Sequence, residues 1–526
     1  MYYFKEEHNI FRQGLKAFLQ KEVIPNVDEW EEAGRIPKDL WKKFGDMGYL
    51  GLNFPEEYGG SEADFWYTVV FMEEIWKCYS GGFAITPSVI SYMAAPYIAK
   101  FGSEALQEKY LRKTIAGELV CSIAISEPGA GSDVGNIRTK AIRDGEHYVV
   151  NGAKTFITNG VYGDYLITVV KTSPEQGVNG ISLLVIDRQA EGVSARKLKK
   201  LGWHASDTAE LNFDNVRVPV SNLIGEEGQG FYYLMGGLQL ERLVGAVGAV
   251  AGAEQALEYA MQYMSEREAF GRPINKFQVL RHRVAQMTAE IESTKYFIYH
   301  CCRLHNDGKY AVKECSMAKL LSTELSDRVV TNCLQVFGGY GYMEEYKIAR
   351  MFRDSRVGTI GAGTSEIMRE IIAKMVIDDK NYRSASNGAP PAAVRAAVPV
   401  GATPSTPSAA PARKAAPQSD SQPQTIREMT LEKITELAVG KADNASPLGH
   451  TIRFDLEGDF VHLDGTGSSN VVSNEGKDAE CIVTIKKEHF YGLLTGNIQP
   501  MQAFMAGMFR VSGEMGVAMK LPQLFK

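Results

Sequence analysis

Residues 384–424 read SASNGAPPAAVRAAVPVGATPSTPSAAPARKAAPQSDSQPQ. The stretch carries eight of the chain's 20 prolines and no aromatic residue. Such a composition buries no core, so a disordered, partly extended tether is expected, its ends roughly 35 Å apart as a flexible coil. A 526-residue chain with that interruption folds as two bodies. One spans residues 1–383 and the other 425–526.

The first body divides into three zones. Residues 1–118 read helical, with apolar residues at helical spacing in FRQGLKAFLQKEV and EALQEKYLRKTIAGE. Residues 119–230 switch to short alternating runs with turn signals, such as EHYVVNGAKTFITNG and ISLLVIDRQAEGVSARK. Residues 231–383 return to long helical patterns. The order predicts helices, then a β-barrel or sandwich, then helices.

The second body opens on an amphipathic helix, TIREMTLEKITELAVG, followed by strand-like runs in HTIRFDLEGDFVHLDG and AECIVTIKKEHF. Mixed apolar helical segments are expected around MQAFMAGMFRVSGEMGVAMKLPQLF. Its Met, Phe and Leu residues suit either a plain core or a deformable apolar cavity.

Net charge is −6 with pI near 6.0, against a nucleic-acid partner, which needs a basic face. Seven scattered cysteines show no zinc spacing, so no metal is expected, and an odd count fits a reducing compartment. The start, MYYFKEEHNIFRQGL, places charges where a signal peptide has an apolar run. The longest helical apolar run, 243–253, reads as too short to cross a bilayer. The expectation is a cytoplasmic protein that does not span a membrane.

Two features carry chemistry. In LQLERLVGAVGAVAGAEQAL (238–257), Glu241 and Arg242 interrupt an apolar helix, with small and apolar residues (Gly237, Leu238, Val244, Gly245, Gly248) around Glu241. A buried carboxylate costs several kcal/mol unless compensated. Either it forms a structural ion pair with Arg242 or another cation, or it is a functional acid–base group. In SIAISEPGAGSDVGNIRTKA (122–141), interleaved Gly and Ser allow backbone N–H groups to approach a ligand.

With these motifs the first body resembles the acyl-CoA dehydrogenase family nearly end to end. ISEPGAGSD, TFITNG, GWHASDTAELNFDNVRVP, SEREAFGRPINKFQ, QVFGGYGY and RDSRVGTIGAGTSEI fall in the family's order. The resemblance implies a multi-domain fold: an α-helical N-terminal domain, a central β-barrel and a C-terminal four-helix bundle. It implies FAD, held by a homodimer or homotetramer. Ile125, Ser126 and Thr158 are implied as flavin contacts, and Ser132 as a contact to the CoA arm. Arg267 and Gln278 would reach FAD from a neighbouring subunit, and Phe270 is implied as a further FAD contact. Gln335, Gly338 and Gly339 match the adenosine-side contacts, and Thr364 and Glu366 the turn beside the flavin.

Desaturation at Cα–Cβ needs a base for the α-proton and donors for the developing enolate oxygen. Many family members carry the base directly before the Gly-Thr of the last motif. That position is Ala362 here, which takes no proton. In members resembling isovaleryl- and long-chain-acyl-CoA dehydrogenases, the base sits on the long helix, and the matching residue is Glu241. The implied pocket has Gly237, Gly245 and Ala362 leaving room for an acyl chain. The backbone N–H of Ala362 would donate to the thioester oxygen, with Gly363 following it, and Arg242 would face CoA.

Residues 425–526 resemble the sterol-carrier-protein fold through GHTIRFDLEGDF and GNIQPMQAFMAGMFRVSGEM. That implies a small α/β domain binding a lipid or acyl chain. The expected activity is FAD-dependent oxidation of a long or bulky acyl-CoA to the trans-2-enoyl thioester, with an electron-transferring flavoprotein as acceptor. An acyl-CoA oxidase using O2, or a non-catalytic flavoprotein or lipid-binding module, are the alternatives.

Overall fold

The computed structural model describes residues 3–309, 311–378, 430–444, 446–495, 509–513 and 517. The expected tether, 384–424, lies outside them, as does most of the apolar tail after residue 495. The chain divides into two compact units, Met1–Asp378 and Asp379–Lys526.

The first unit opens with helices. Phe65–Trp76 is apolar on nearly every side and buried accordingly. Its start is set by Asp64, whose carboxylate accepts from the Trp66 N–H at 3.0 Å, satisfying an otherwise orphaned donor. Its two buried carboxylates are compensated by Arg12, 2.8 Å from Glu73 and 2.5 Å from Glu74. A π-helical turn, Val89–Ala94, leads into helix Ala95–Phe101.

An eight-stranded, mostly antiparallel sheet follows, in the order 193–197, 208–219, 147–158, 140–144, 165–171, 181–187, 223–224, with 121–124 parallel to 165–171. Alternation puts Tyr148, Val150, Ile157, Leu166, Leu211 and Phe213 into one apolar core. Strand His147–Thr158 pairs antiparallel with Thr208–Pro219, and its register slips between Lys154 and Ile157. In that bulge Phe156 takes a left-handed conformation (φ +63°) and is 72% exposed.

The remainder of the unit is helical: Gly230–Glu266, Gln278–Asn306, Val312–Val336, Lys347–Ser355 and Ser365–Ala373. The 37-residue helix Gly230–Glu266 corrects the expectation drawn from 243–253, since it is long and apolar enough to cross a membrane. Here it is a core helix, packed against Phe65–Trp76, Gln278–Asn306 and Val312–Val336. Its Gly and Ala residues let neighbours approach closely: a Cβ on Gly248 would fall 2.6 Å from the Trp76 ring.

In the second unit a five-stranded sheet runs 471–473, 459–464, 451–456, 481–485, 509–513. One pair, 451–456 with 481–485, is parallel. Helices Leu431–Asn444 and Lys487–Leu494 belong to the same unit, and the core joins Ile434, Phe454, Val461, Leu463 and Phe490. Phe509–Gly513, expected in a helical segment, is instead a strand, with Val511 opposite Val483. Its alternating Phe-Arg-Val-Ser has the two-residue period of an edge strand, which the surrounding methionines obscure.

Candidate active site

Glu241 lies in the long helix and is 6% exposed. Burial pushes its carboxyl up to about 7; a hydrogen bond from Tyr97 and the charge of Arg242 act the other way. The Tyr97 hydroxyl donates to Oε1 at 3.1 Å. A carboxylate tuned to neutrality inside a protein has the protonation behaviour of a general base. Arg242 lowers the Glu241 carboxyl less than burial raises it.

Of the small residues expected around the base, Gly245 has open space: a Cβ there would meet nothing within 4 Å. Gly237 does not leave room for an acyl chain, because its Cβ position is 2.2 Å from the Tyr97 hydroxyl. Tyr97 was invisible at the sequence level, its only signal being an aromatic in an otherwise apolar run.

Ala362 and Gly363 form a left-handed turn, with φ +53° and +95°. For a residue with a Cβ, that conformation costs of order 1 kcal/mol or more and persists only where the surroundings impose it. Lys319, buried on helix Val312–Val336, donates to the Gly363 carbonyl at 2.6 Å. Burial and the neighbouring Arg242 push its amine down to about 8. Arg242 is itself buried, with Nη2 3.9 Å from the Cβ position of Gly363. It therefore packs against this turn. Thr364 caps the next helix, its hydroxyl accepting from the Ile367 N–H at 3.3 Å. Glu366 is exposed in that helix's first turn, its carboxyl lowered by a backbone hydrogen bond and by Thr364.

The loop 125–139 is tied at its base. Lys154 donates to the Ile125 carbonyl at 2.9 Å and to Glu127 at 2.8 Å. Glu127 also accepts from the Arg138 and Thr139 N–H groups at 2.6 and 3.0 Å. Burial lowers the Lys154 amine to about 8 even beside its partner. The Ser126 carbonyl accepts from the Thr155 N–H at 2.9 Å, so Ile125 and Ser126 are held against the strand that carries Phe156 and Thr158. Ser132 is exposed on the loop, and Thr158 is half-buried at the strand end opposite Thr208.

A second group converges elsewhere on the unit. Arg267, Gly338 and Gly339 line one groove of about 480 Å³ with Tyr263, Phe337 and Tyr340. The Arg267 guanidinium lies 5.7 Å from the Tyr340 ring centroid. Gly338 is left-handed (φ +59°), and a Cβ on either glycine would meet open space. Phe270, at the tip of the hairpin 268–273, is 95% exposed. Gln335 and Gln278 are exposed at a helix end and a helix start. Among the described residues no hydrogen bond joins this group to Ile125, Ser126 or Thr158.

Comparison with known proteins identifies the domains of the chain. Residues 5–118, 122–216 and 228–377 match the N-terminal, middle and C-terminal domains of acyl-CoA dehydrogenase. Residues 431–526 match the SCP-2 sterol transfer family. The chain is 41% identical over 382 residues to the mitochondrial long-chain specific acyl-CoA dehydrogenase of Sus scrofa, covering 72% of this chain and 88% of that one. A crystal structure of acyl-CoA dehydrogenase from Geobacillus kaustophilus is similar with TM-score 0.70 and 46% identity, over 71% of this chain and 99% of that one. A glutaryl-CoA dehydrogenase from Mycobacterium smegmatis, solved in complex with FADH2, is similar with TM-score 0.68 and 27% identity, over 72% of this chain and 97% of that one. By sequence and by fold, residues 5–377 make this chain a member of the acyl-CoA dehydrogenase family, an oxidoreductase acting on CH–CH bonds, with an SCP-2 domain appended.

Proposed function

We propose that the chain removes the α-proton of a long or bulky acyl-CoA through Glu241 and delivers a trans-2-enoyl-CoA. The observation that carries this is a carboxylate 6% exposed on the long helix and raised to about 7, in a chain with alanine at position 362. FAD, when bound, supplies the hydride acceptor for Cβ. The residues present fit it: Phe156 and Phe270 hold exposed rings at backbone bends, and Arg267 lines a groove whose glycines leave the backbone open. A planar guanidinium there suits a pyrophosphate.

Within this reading Ile125, Ser126, Thr158, Thr364 and Glu366 belong to the flavin's reactive end. Arg267, Phe270, Gln278, Gln335, Gly338 and Gly339 belong to its adenosine side, contributed by a second copy in a homodimer or homotetramer. The Ala362 N–H donates to the thioester oxygen, Ser132 holds the CoA arm, and Gly245 gives the acyl chain its space. The domain division at 118, 230, 383 and 424 is part of the same reading. So is a cytoplasmic location, supported by seven buried, free cysteines. Electrons leave to an electron-transferring flavoprotein. The appended domain binds acyl or sterol-like lipid and raises its local concentration, by an effect of order mM for a flexible tether.

Anaerobic bleaching of the bound flavin by butyryl-, isovaleryl-, octanoyl- and palmitoyl-CoA tests the proposal. Fast bleaching by the longer chains is the expected result. Bleaching by none of the panel with FAD bound overturns it.

A further inference from the structure

The base does not stand alone in its pocket. Tyr97 comes from helix Ala95–Phe101, 144 residues earlier in the chain, and is 3% exposed. Its hydroxyl reaches Glu241 Oε1 at 3.1 Å. The same hydroxyl occupies the space over Gly237, one turn before Glu241 on the same face of the long helix. A glycine inside a helix costs about 1 kcal/mol relative to alanine. Here it has a reason: with alanine at 237, the new methyl would sit 2.2 Å from the hydroxyl and displace it.

Among the described residues, two groups act on Glu241. Tyr97 faces it from helix Ala95–Phe101 and Arg242 from its own helix. Arg242 in turn faces Cys315 and Lys319 of helix Val312–Val336. Burial holds the Tyr97 phenol far above neutrality, so it keeps its proton and remains a donor whichever state Glu241 is in.

We infer that Tyr97 is a positioning residue for the base, and that Gly237 is glycine to admit it. Tyr97 fixes Oε1 and leaves Oε2 to take the α-proton. This rests on Glu241 being the base. The proton passes from the substrate Cα to the Glu241 carboxylate, and none is transferred to or from Tyr97. A donor to the ionised form also eases the cost of holding that charge in a dry site.

The test is the anaerobic flavin-reduction rate of the full-length holoenzyme against pH, with the best acyl-CoA of the panel above. Tyr97→Phe removes the hydroxyl and little else. The expected result is unchanged FAD content and acyl-CoA affinity, a rate lowered about tenfold at neutral pH, and an acid limb moved about half a pH unit or more to the alkaline side. Gly237→Ala should reproduce that shift with Tyr97 present, because its methyl would fall 2.2 Å from the hydroxyl and 2.7 Å from ring carbon Cζ and force the side chain away; combined with Tyr97→Phe it should move the acid limb no further, because no hydroxyl is left to displace. If one of the two variants folds poorly, the other single variant alone still reads whether loss of the hydroxyl contact moves the acid limb. An acid limb and rate unmoved by Tyr97→Phe, with Glu241→Gln inactive, overturn the role of Tyr97 and leave the base in place. An active Glu241→Gln overturns the base assignment, and the inference with it.

Discussion

A carboxylate with 6% of its surface exposed titrates near neutrality because the loss of solvation outweighs one hydroxyl donor and one neighbouring cation. The sign of its pH dependence follows. The base acts when deprotonated, so kcat/KM should rise with pH through about 7 and level off above it. Replacing Glu241 by Gln should leave FAD bound and lower the rate of flavin reduction by at least about 10³-fold, an order typical of losing a general base; stopped-flow reduction checks it. Stability moves oppositely. The folded-state pKa is raised above that of the unfolded chain, so the native state binds more protons between about 4 and 7 and loses stability as pH rises across that window. Glu241→Gln should therefore raise Tm at pH 8, by an amount on the order of 3 kcal/mol in free energy, and change it little at pH 4. Equal Tm shifts at both values in a denaturation series would count against the burial argument. An ionisable residue in an apolar helix is legible in the sequence. Its tyrosine is not, since the two meet only when helix Ala95–Phe101 packs onto the long helix.

Single contacts acquire consequence through the elements that carry them. The turn at Ala362–Gly363 is left-handed, and Lys319 pins its carbonyl from another helix. Ala362→Gly should stabilise the fold by up to about 1 kcal/mol, by relieving a strained φ, while Lys319→Met should weaken catalysis more than substrate binding, because the turn's N–H loses its aim. Thermal melts and a split of kcat from KM read these two effects. On the long helix, Gly245 faces open space and Gly248 faces Trp76. Gly245→Leu should therefore raise KM for palmitoyl-CoA while sparing butyryl-CoA; a similar rise for both would place the acyl chain elsewhere. The helix itself was readable from its apolar run, but its length was not. Counting apolar residues stops at each polar position, whereas a helix continues wherever packing covers it. The same limit hid the strand Phe509–Gly513, whose pairing with Cys481–Ile485 is a non-local event.

Across the whole molecule, two units with separate cores are joined through a stretch that can form none. Removing residues 384–526 should leave a folded, FAD-binding unit with raised apparent KM for long acyl-CoAs and unchanged KM for short ones. Steady-state kinetics across the panel decide it, and an equal effect on both classes would argue against delivery by the appended domain. The sequence by itself determined the division into units, the helix–sheet–helix order and the family, because these depend on local period, composition and ordered motifs. It also pointed to Glu241, since a charge in an apolar helix demands compensation. Only the tertiary structure decided that Tyr97 supplies the donor, that Gly237 is filled while Gly245 stays open, that Arg242 and Lys319 brace the 363 turn, and that Lys154 with Glu127 closes the loop at 125–139. Each of those contacts joins residues 27 to 144 positions apart. Spacing along a chain carries no record of which distant side chains share a buried space.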